Sequence, residues 1–239
     1  MIITPYPALQ AVLADAAQWR GFFYPLCLVQ GVPGLPPELA LPVLSTNGLW
    51  YDEAYAGAAA SAHVSTFELR GGQLVFAGDV RVFRGHAAVA AGYDQLAADW
   101  QAHEAAYLGA GSLEQLLGPP PAGWPTTPEF DAEYFLSTFR GFHYVREQYR
   151  RTGRFQSLNA WLRGWREAPG AFFLPASHPD FGSADAEMQA NQAYLLPGLD
   201  LATLHPVGLA PASPYFADGN SVLMYYDAAA ARLVCVNHY

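Results

Sequence analysis

The chain contains no lysine; its twelve basic side chains are all arginine. That absence excludes Schiff-base and PLP chemistry, which need a lysine amine, and the lysine that P-loop proteins and kinases place on phosphates. Abundant alanine and glycine beside arginine point to a GC-rich coding bias, so the missing lysines are a compositional feature. Cysteine is nearly absent too. With Cys27 and Cys235 alone in 239 residues, there is neither a disulfide framework nor a Cys-x-x-Cys motif. Charged residues make up 14% of the chain, against about a quarter in ordinary globular proteins. No stretch approaches the ~18 uninterrupted apolar residues of a membrane helix. The opening Met1-Ile2-Ile3-Thr4-Pro5 lacks the basic segment of a secretory signal. A cytoplasmic protein with buried thiols is expected, and the sequence leaves open whether Cys27 and Cys235 pair.

What is present is apolar and acidic: 52% hydrophobic residues and a net charge of −9. A folded chain is expected, poorly suited to nucleic acid or anionic lipid. Helical spacing is read over Pro7 to Trp19, Pro37 to Leu44, Ala88 to Leu108, Glu129 to Arg151, Phe155 to Arg166 and Ser183 to Leu195, with a helical turn opening at Ser112. Strands are read at Phe22 to Val29, in a hairpin of Phe67 to Leu69 and Gln73 to Phe76 around Arg70-Gly71-Gly72, and at Val80 to Phe83. Two more, Val222 to Tyr226 and Arg232 to Tyr239, are apolar on both faces, as strands covered on two sides are. Strands at both ends with helices between them give an α+β class. The expectation is one domain over residues 1–239, with a mixed or antiparallel sheet built from the early hairpin and the C-terminal strands. A helical insertion spans 86–196, and the proline-rich Gly118 to Pro128 reads as an internal linker.

Charge is unevenly spread. Phe139 to Glu167 holds seven arginines and two glutamates, a local +5, leaving −14 for the rest. Arg146 and Arg150, four apart on a helix, repel each other, so a carboxylate or bound anion beside them is expected. Arginine interleaved with aromatics is the composition of interface hot spots, which makes Arg140, Arg146, Arg150, Arg151, Arg154, Tyr144, Trp161 and Trp165 the candidate binding residues. The same helix opens on acids and closes on arginines, the order its macrodipole favours by itself. His103-Glu104-Ala105-Ala106-Tyr107 has tyrosine where a zincin helix needs its second histidine. No metal site and no cofactor are expected. No Gly-x-Ser-x-Gly elbow exists. His178 and Asp180 are the best alternative acid-base pair, and Asp52-Glu53 and Asp131-x-Glu133 are paired acids that read as solvated or helix-opening charges.

Two stretches carry a family likeness. Leu35-Pro36-Pro37-Glu38-Leu39 leads through Leu44-Ser45-Thr46 to Asn47-Gly48. His205-Pro206-Val207-Gly208 is followed by Asp218-Gly219-Asn220-Ser221-Val222-Leu223-Met224-Tyr225-Tyr226-Asp227 and then Arg232 to Tyr239. Together they resemble the SUKH superfamily, which includes bacterial toxin-immunity proteins: a Leu-Pro start to a helix closing on Asn-Gly, a Pro-x-Gly strand, a Gly-Asn strand ending in Asp, and a last strand with an aromatic and a histidine. Residues 49–204 between the stretches require a large insertion. The resemblance implies an α+β sheet domain that binds a toxin or other protein without catalysis. Hence the leading expectation is a protein-interaction module with a protein partner of basic character. A lysine-independent hydrolase and an anion or nucleotide binder are the alternatives.

Overall fold

The computed structural model describes residues 1–125, 127–155, 157–158, 171–191, 195–212 and 214–238. Near the N-terminus, β1 (Ile2–Pro5), α1 (Leu9–Val12), β2 (Tyr24–Gln30) and β3 (Ala40–Ser45) follow in order, and the three strands pair antiparallel as β1-β2-β3. The hairpin β4 (Val64–Arg70) and β5 (Gln73–Val75) joins the C-terminal strands as expected. With β6 (Leu174–Pro175), β7 (His205–Ala210), β8 (Ser221–Asp227) and β9 (Arg232–His238) it forms an antiparallel sheet in the order β5-β4-β9-β8-β7-β6. The class is α+β.

Alternation along the central strands decides the layering. Val222, Met224 and Tyr226 of β8, with Leu233 and Cys235 of β9, enter the main core with β2 and β3. Leu223, Tyr225, Val234 and Val236 point the other way, against Phe181, Ala184 and Met188 of α5 (Pro179–Ala190). Both faces are therefore covered, which is why these strands read as continuous apolar runs. In the β8–β9 hairpin the Asp227 carboxylate accepts from the Ala229 and Ala230 amides and pairs with Arg232 at 3.0 Å.

The helical layer is α2 (His86–Leu108), α3 (Leu113–Leu117) and α4 (Ala132–Thr152). α4 buries Phe135, Leu136, Phe139, Phe142 and Val145 in the main core, together with Val89 and Leu96 of α2. The span 86–196 thus inserts in sequence but shares the core of the first sheet, and β6 inside it extends the second. Gly118 to Pro128 does not link separate bodies. Arg140 donates to the carbonyls of Leu117 and Pro119, Gln95 donates to Ala122 O at 2.6 Å, and Trp124 lies 6.3 Å from the rings of both Phe130 and Phe135.

Several local expectations give way to tertiary pairing. Pro37 to Leu44 is not a helix: Ala40–Ser45 is a strand whose Leu41 and Val43 register against Val29 and Cys27, and all four are buried. The helix that the family likeness placed here is accordingly absent. Helix over Pro7 to Trp19 shrinks to Leu9–Val12, because Leu13 bridges to Leu74, Ala14 donates to Leu74 O, and Asp15 takes a positive φ of 52°. Val80–Val82 is a 3-10 turn rather than a strand; the Asp79 carboxylate caps it by accepting the Arg81 amide at 2.9 Å. α5 begins at Pro179, four residues before the expected Ser183, since proline at the first position needs no hydrogen-bonded amide and His178 Nδ1 caps Asp180 N. The helix expected from Phe155 to Arg166 lies mostly outside the described residues.

Cys27 and Cys235 are both free and buried. Burial pushes each thiol up to about 12, so neither is a thiolate at neutral pH.

Candidate functional site

The segment Ser45–Tyr51 leaves β3 and turns under α4. Gly48 sits at φ +89°, and a Cβ there would lie 2.9 Å from Thr138 Cβ, so only glycine lets the turn pass this close to the helix. Asn47 is 4% exposed, and each polar atom of its side chain is used. Nδ2 donates to Thr138 Oγ1 at 2.8 Å and to Asp218 O at 2.9 Å; Oδ1 accepts from Tyr134 OH at 2.7 Å and from Asn220 N at 3.3 Å. One amide thereby joins the turn, α4 and the Asp218–Asn220 loop. A Cβ on Gly219 would stand 2.1 Å from Asn47 Oδ1, which explains glycine there. These are the Asn-Gly and Asp-Gly-Asn stretches that carry the family likeness, and the fold brings them into contact.

Beside this hub the chain builds a polar interior. Thr46 Oγ1 and Tyr51 OH are 2.7 Å apart, and Asn237 Nδ2 donates to both, at 3.4 and 3.3 Å. Ser65 Oγ is 3.3 Å from Tyr51 OH. A satisfied network of this kind holds one backbone arrangement, because breaking it strands buried polar groups.

On the outer side of the hub lies a cleft of about 660 Å³. Trp50, 50% exposed, tilts over Tyr134 with ring centroids 5.3 Å apart. Its indole Nε1 donates to Asp131 Oδ2 at 3.0 Å, while Asp131 Oδ1 accepts the Tyr134 amide at 2.9 Å as the N-cap of α4. Trp124 from the proline-rich segment lines the cleft as well. Among the described residues, Asp131, Glu133 and Asp218 are the charged ones lining the cleft, with no arginine or histidine. A smaller cavity of about 170 Å³ shares Trp50, Tyr134 and Asn220 with it. Fixed aromatic faces with carboxylates at the rim attract a cation or a basic side chain and repel anions.

The expected binding residues divide. Arg140 is interior, 3% exposed, with Nη2 2.9 Å from Asp99 and its guanidinium 4.9 Å from the centre of the Tyr107 ring. Since it also holds the Leu117 and Pro119 carbonyls, it is a clamp between helices and not a surface contact. Tyr144 is buried as well. Arg146 and Arg150 do come together, and the expected carboxylate is Glu147, whose Oε1 accepts from Arg146 Nε at 2.9 Å and Arg150 Nη1 at 2.8 Å. Arg151 reaches Glu104 at 3.4 Å across the surface, and Arg154 is exposed. Trp161 and Trp165 lie outside the described residues.

His178 and Asp180 stand 3.8 Å apart on the surface, where His178 serves as the α5 cap. Neither side chain lines the cavities described here. Asp52 caps the 3-10 turn Glu53–Tyr55 by accepting the Ala54 amide, and Glu53 accepts the Ala62 amide. Among the described residues no group of three His, Cys, Asp or Glu is placed to hold a metal ion, and no helix is long and apolar enough to cross a membrane.

The cleft residues Trp50, Trp124, Tyr134 and Asp218 were not among the sequence candidates. The available signal was the pair of Asn-Gly and Asp-Gly turns flanking them, together with a tryptophan next to the first. Against protein-family models, curated proteins and solved structures, the chain matches none.

Proposed function

We propose that this chain is a non-catalytic protein-interaction module that takes a basic side chain of a protein partner into the Trp50–Trp124–Tyr134 cleft, in the manner of a bacterial immunity protein meeting a toxin. The observation that carries this reading is the sign and rigidity of the cleft. Among the described residues it is lined by three carboxylates and no base, and two of its walls are fixed by Asn47 and Asp131, whose polar atoms are already committed to the fold. Fixed aromatic anchors lose little entropy on binding, and desolvated arginine–aromatic contacts are the usual energetic centre of an interface. The chain's net charge of −9 would speed encounter with a basic partner. The SUKH likeness supports the same reading, and free buried thiols suit a cytoplasmic setting.

Titration with a short arginine-rich peptide, followed by tryptophan fluorescence, tests it. Saturable binding that weakens with salt and falls at least tenfold in Trp50→Ala and Glu133→Gln is expected. A glutamate-rich peptide that gives the same response, or binding untouched by both substitutions, would sink the proposal.

A further inference from the structure

The C-terminal half of α4 faces a separate cavity of about 260 Å³, between the helix, the start of α1 and the Gly21–Pro25 segment. Arg146 and Arg150 line it, as do Tyr24, Tyr93 and His143. Arg146 is held in place on three sides. Its Nε binds Glu147, its Nη2 donates to His143 Nδ1 at 3.0 Å, and its guanidinium lies 5.7 Å from the centre of the Phe142 ring. A guanidinium can only donate, so His143 Nδ1 must accept and the ring carries its proton on Nε2. His143 is stacked on Phe139 at 4.0 Å. Burial, then the charges of Arg146 and Arg150, hold it well below the ordinary histidine range, so it stays neutral.

The charges around this cavity do not cancel. One carboxylate, Glu147, serves two guanidiniums, and Arg146 Nη1 and Arg150 Nε and Nη2 make no hydrogen bond to the described residues. Tyr93 lines the same cavity, and burial raises its phenol, so it remains a donor at neutral pH.

From this arrangement we infer a second binding site, in which Arg146 and Arg150 take the phosphate of a small phosphate-bearing molecule. Guanidinium donors favour phosphate because their paired N–H groups match its oxygens. The cavity of about 260 Å³ admits a phosphate with a short substituent. This site is independent of the acidic cleft, and its failure would leave that reading intact.

Thermal unfolding of the full chain in inorganic phosphate, against chloride at equal ionic strength, tests the site, since a ligand that binds the folded state raises Tm with concentration. A saturating rise is expected. Arg150→Gln should weaken half-saturation at least tenfold. Arg146→Gln, read against its own phosphate-free Tm, should weaken it at least tenfold as well. Glycerol 3-phosphate in a parallel arm separates the sources: equal half-saturation identifies the free ion, and a tighter response identifies a phosphomonoester. No phosphate-specific rise, or a rise that survives Arg150→Gln, overturns the site. So does a response lost with Arg150→Gln but kept in Arg146→Gln, since one exposed arginine would give that alone.

Discussion

At its N-terminal end α4 turns Asp131 and Glu133 toward an open cleft walled by Trp50, Trp124 and Tyr134; at its C-terminal end Arg146 and Arg150 flank a smaller cavity beside a neutral histidine. The helix between them is 21 residues, about 30 Å at 1.5 Å per residue. Its macrodipole accounts for the sign of charge at each end. It does not account for how the charges are held. Asp131 is fixed by two hydrogen bonds at an exposed cap, whereas Arg146 is half-sequestered and shares a carboxylate with Arg150. Two regions that look like mirror images in a charge plot therefore differ in kind. One is a preformed cleft with rigid walls, and the other is a cavity with donors to spare.

Arg140 sits between the ends and ties α4 to α2 and to the segment after α3, so it gives the largest expected effect. Arg140→Leu leaves the Leu117 and Pro119 carbonyls without this donor and Asp99 without its guanidinium, and should lower stability by about 3–5 kcal/mol in urea unfolding. Adding Asp99→Leu should restore part of that loss, since the stranded carboxylate is then gone. A single variant as stable as the parent would show that the clamp is dispensable.

Asn47 should separate the ends. Asn47→Ala removes four hydrogen bonds at the acidic end and none at the basic one. About 2–3 kcal/mol of stability should be lost, because Thr138, Tyr134 and the Asp218–Asn220 loop lose their shared partner. Peptide binding should fall with it, while the phosphate response, measured well below the new Tm, should persist. Loss of both responses together would mean that the cleft and the cavity are one mechanical unit.

How much of this was legible in the chain depends on whether a feature is local. β8 and β9 announced themselves because strands covered on both faces are apolar throughout, and α4 did so because Phe135, Phe139 and Phe142 recur at helical spacing beneath an aspartate cap. β3 misled, because a short run such as Ala-Leu-Pro-Val-Leu-Ser fits helix or strand until its pairing with β2 is known. The arginines show the limit most clearly. Arg140, Arg146 and Arg150 share one helix, yet one is a buried clamp, one is half-buried and one is exposed, and only what packs against each, Asp99 of α2 for Arg140 and the Gly21–Pro25 side for Arg146, decides among them. The cleft was invisible for a related reason: Trp50, Trp124, Asp131 and Asp218 come from four segments with no common spacing.

The basic end should also reveal itself by pH. His143 titrates below its unfolded value of about 6.5, so the unfolded chain binds a proton that the folded chain refuses. Stability from this group is complete above about pH 6.5 and is lost as pH falls toward the folded value, at up to about 1.4 kcal/mol per pH unit. Asp99 acts in a lower window. Burial alone would raise it, but the Tyr107 and Arg140 hydrogen bonds together bring it below its ordinary value, so its contribution disappears only under about pH 3.9. Urea unfolding of the parent and His143→Gln between pH 7 and 5 isolates the histidine: glutamine can still accept from Arg146 but does not titrate. The parent curve should fall more steeply. Parallel curves would mean that His143 takes up its proton in the fold as readily as in the unfolded chain, against the burial and the two arginines around it.

The smallest stability effects make the sharpest test of the contrast. Glu133 and Arg150 are exposed residues at opposite ends of α4. Neutralising either removes a helix-end charge worth about 0.3–1 kcal/mol, and Arg150 also loses its exposed pair with Glu147, worth about as little. Glu133→Gln and Arg150→Gln should therefore both fold normally, with Tm shifts of a few degrees at most. Their binding behaviour should cross over. Glu133→Gln should lose the basic peptide and keep phosphate, and Arg150→Gln should lose phosphate and keep the peptide, even gaining slightly as net charge becomes more negative. A bulk field of the whole acidic protein would move both affinities with net charge alone, strengthening peptide binding in Arg150→Gln and weakening it in Glu133→Gln by similar small factors. Only two local sites give a tenfold loss at one end with no loss at the other.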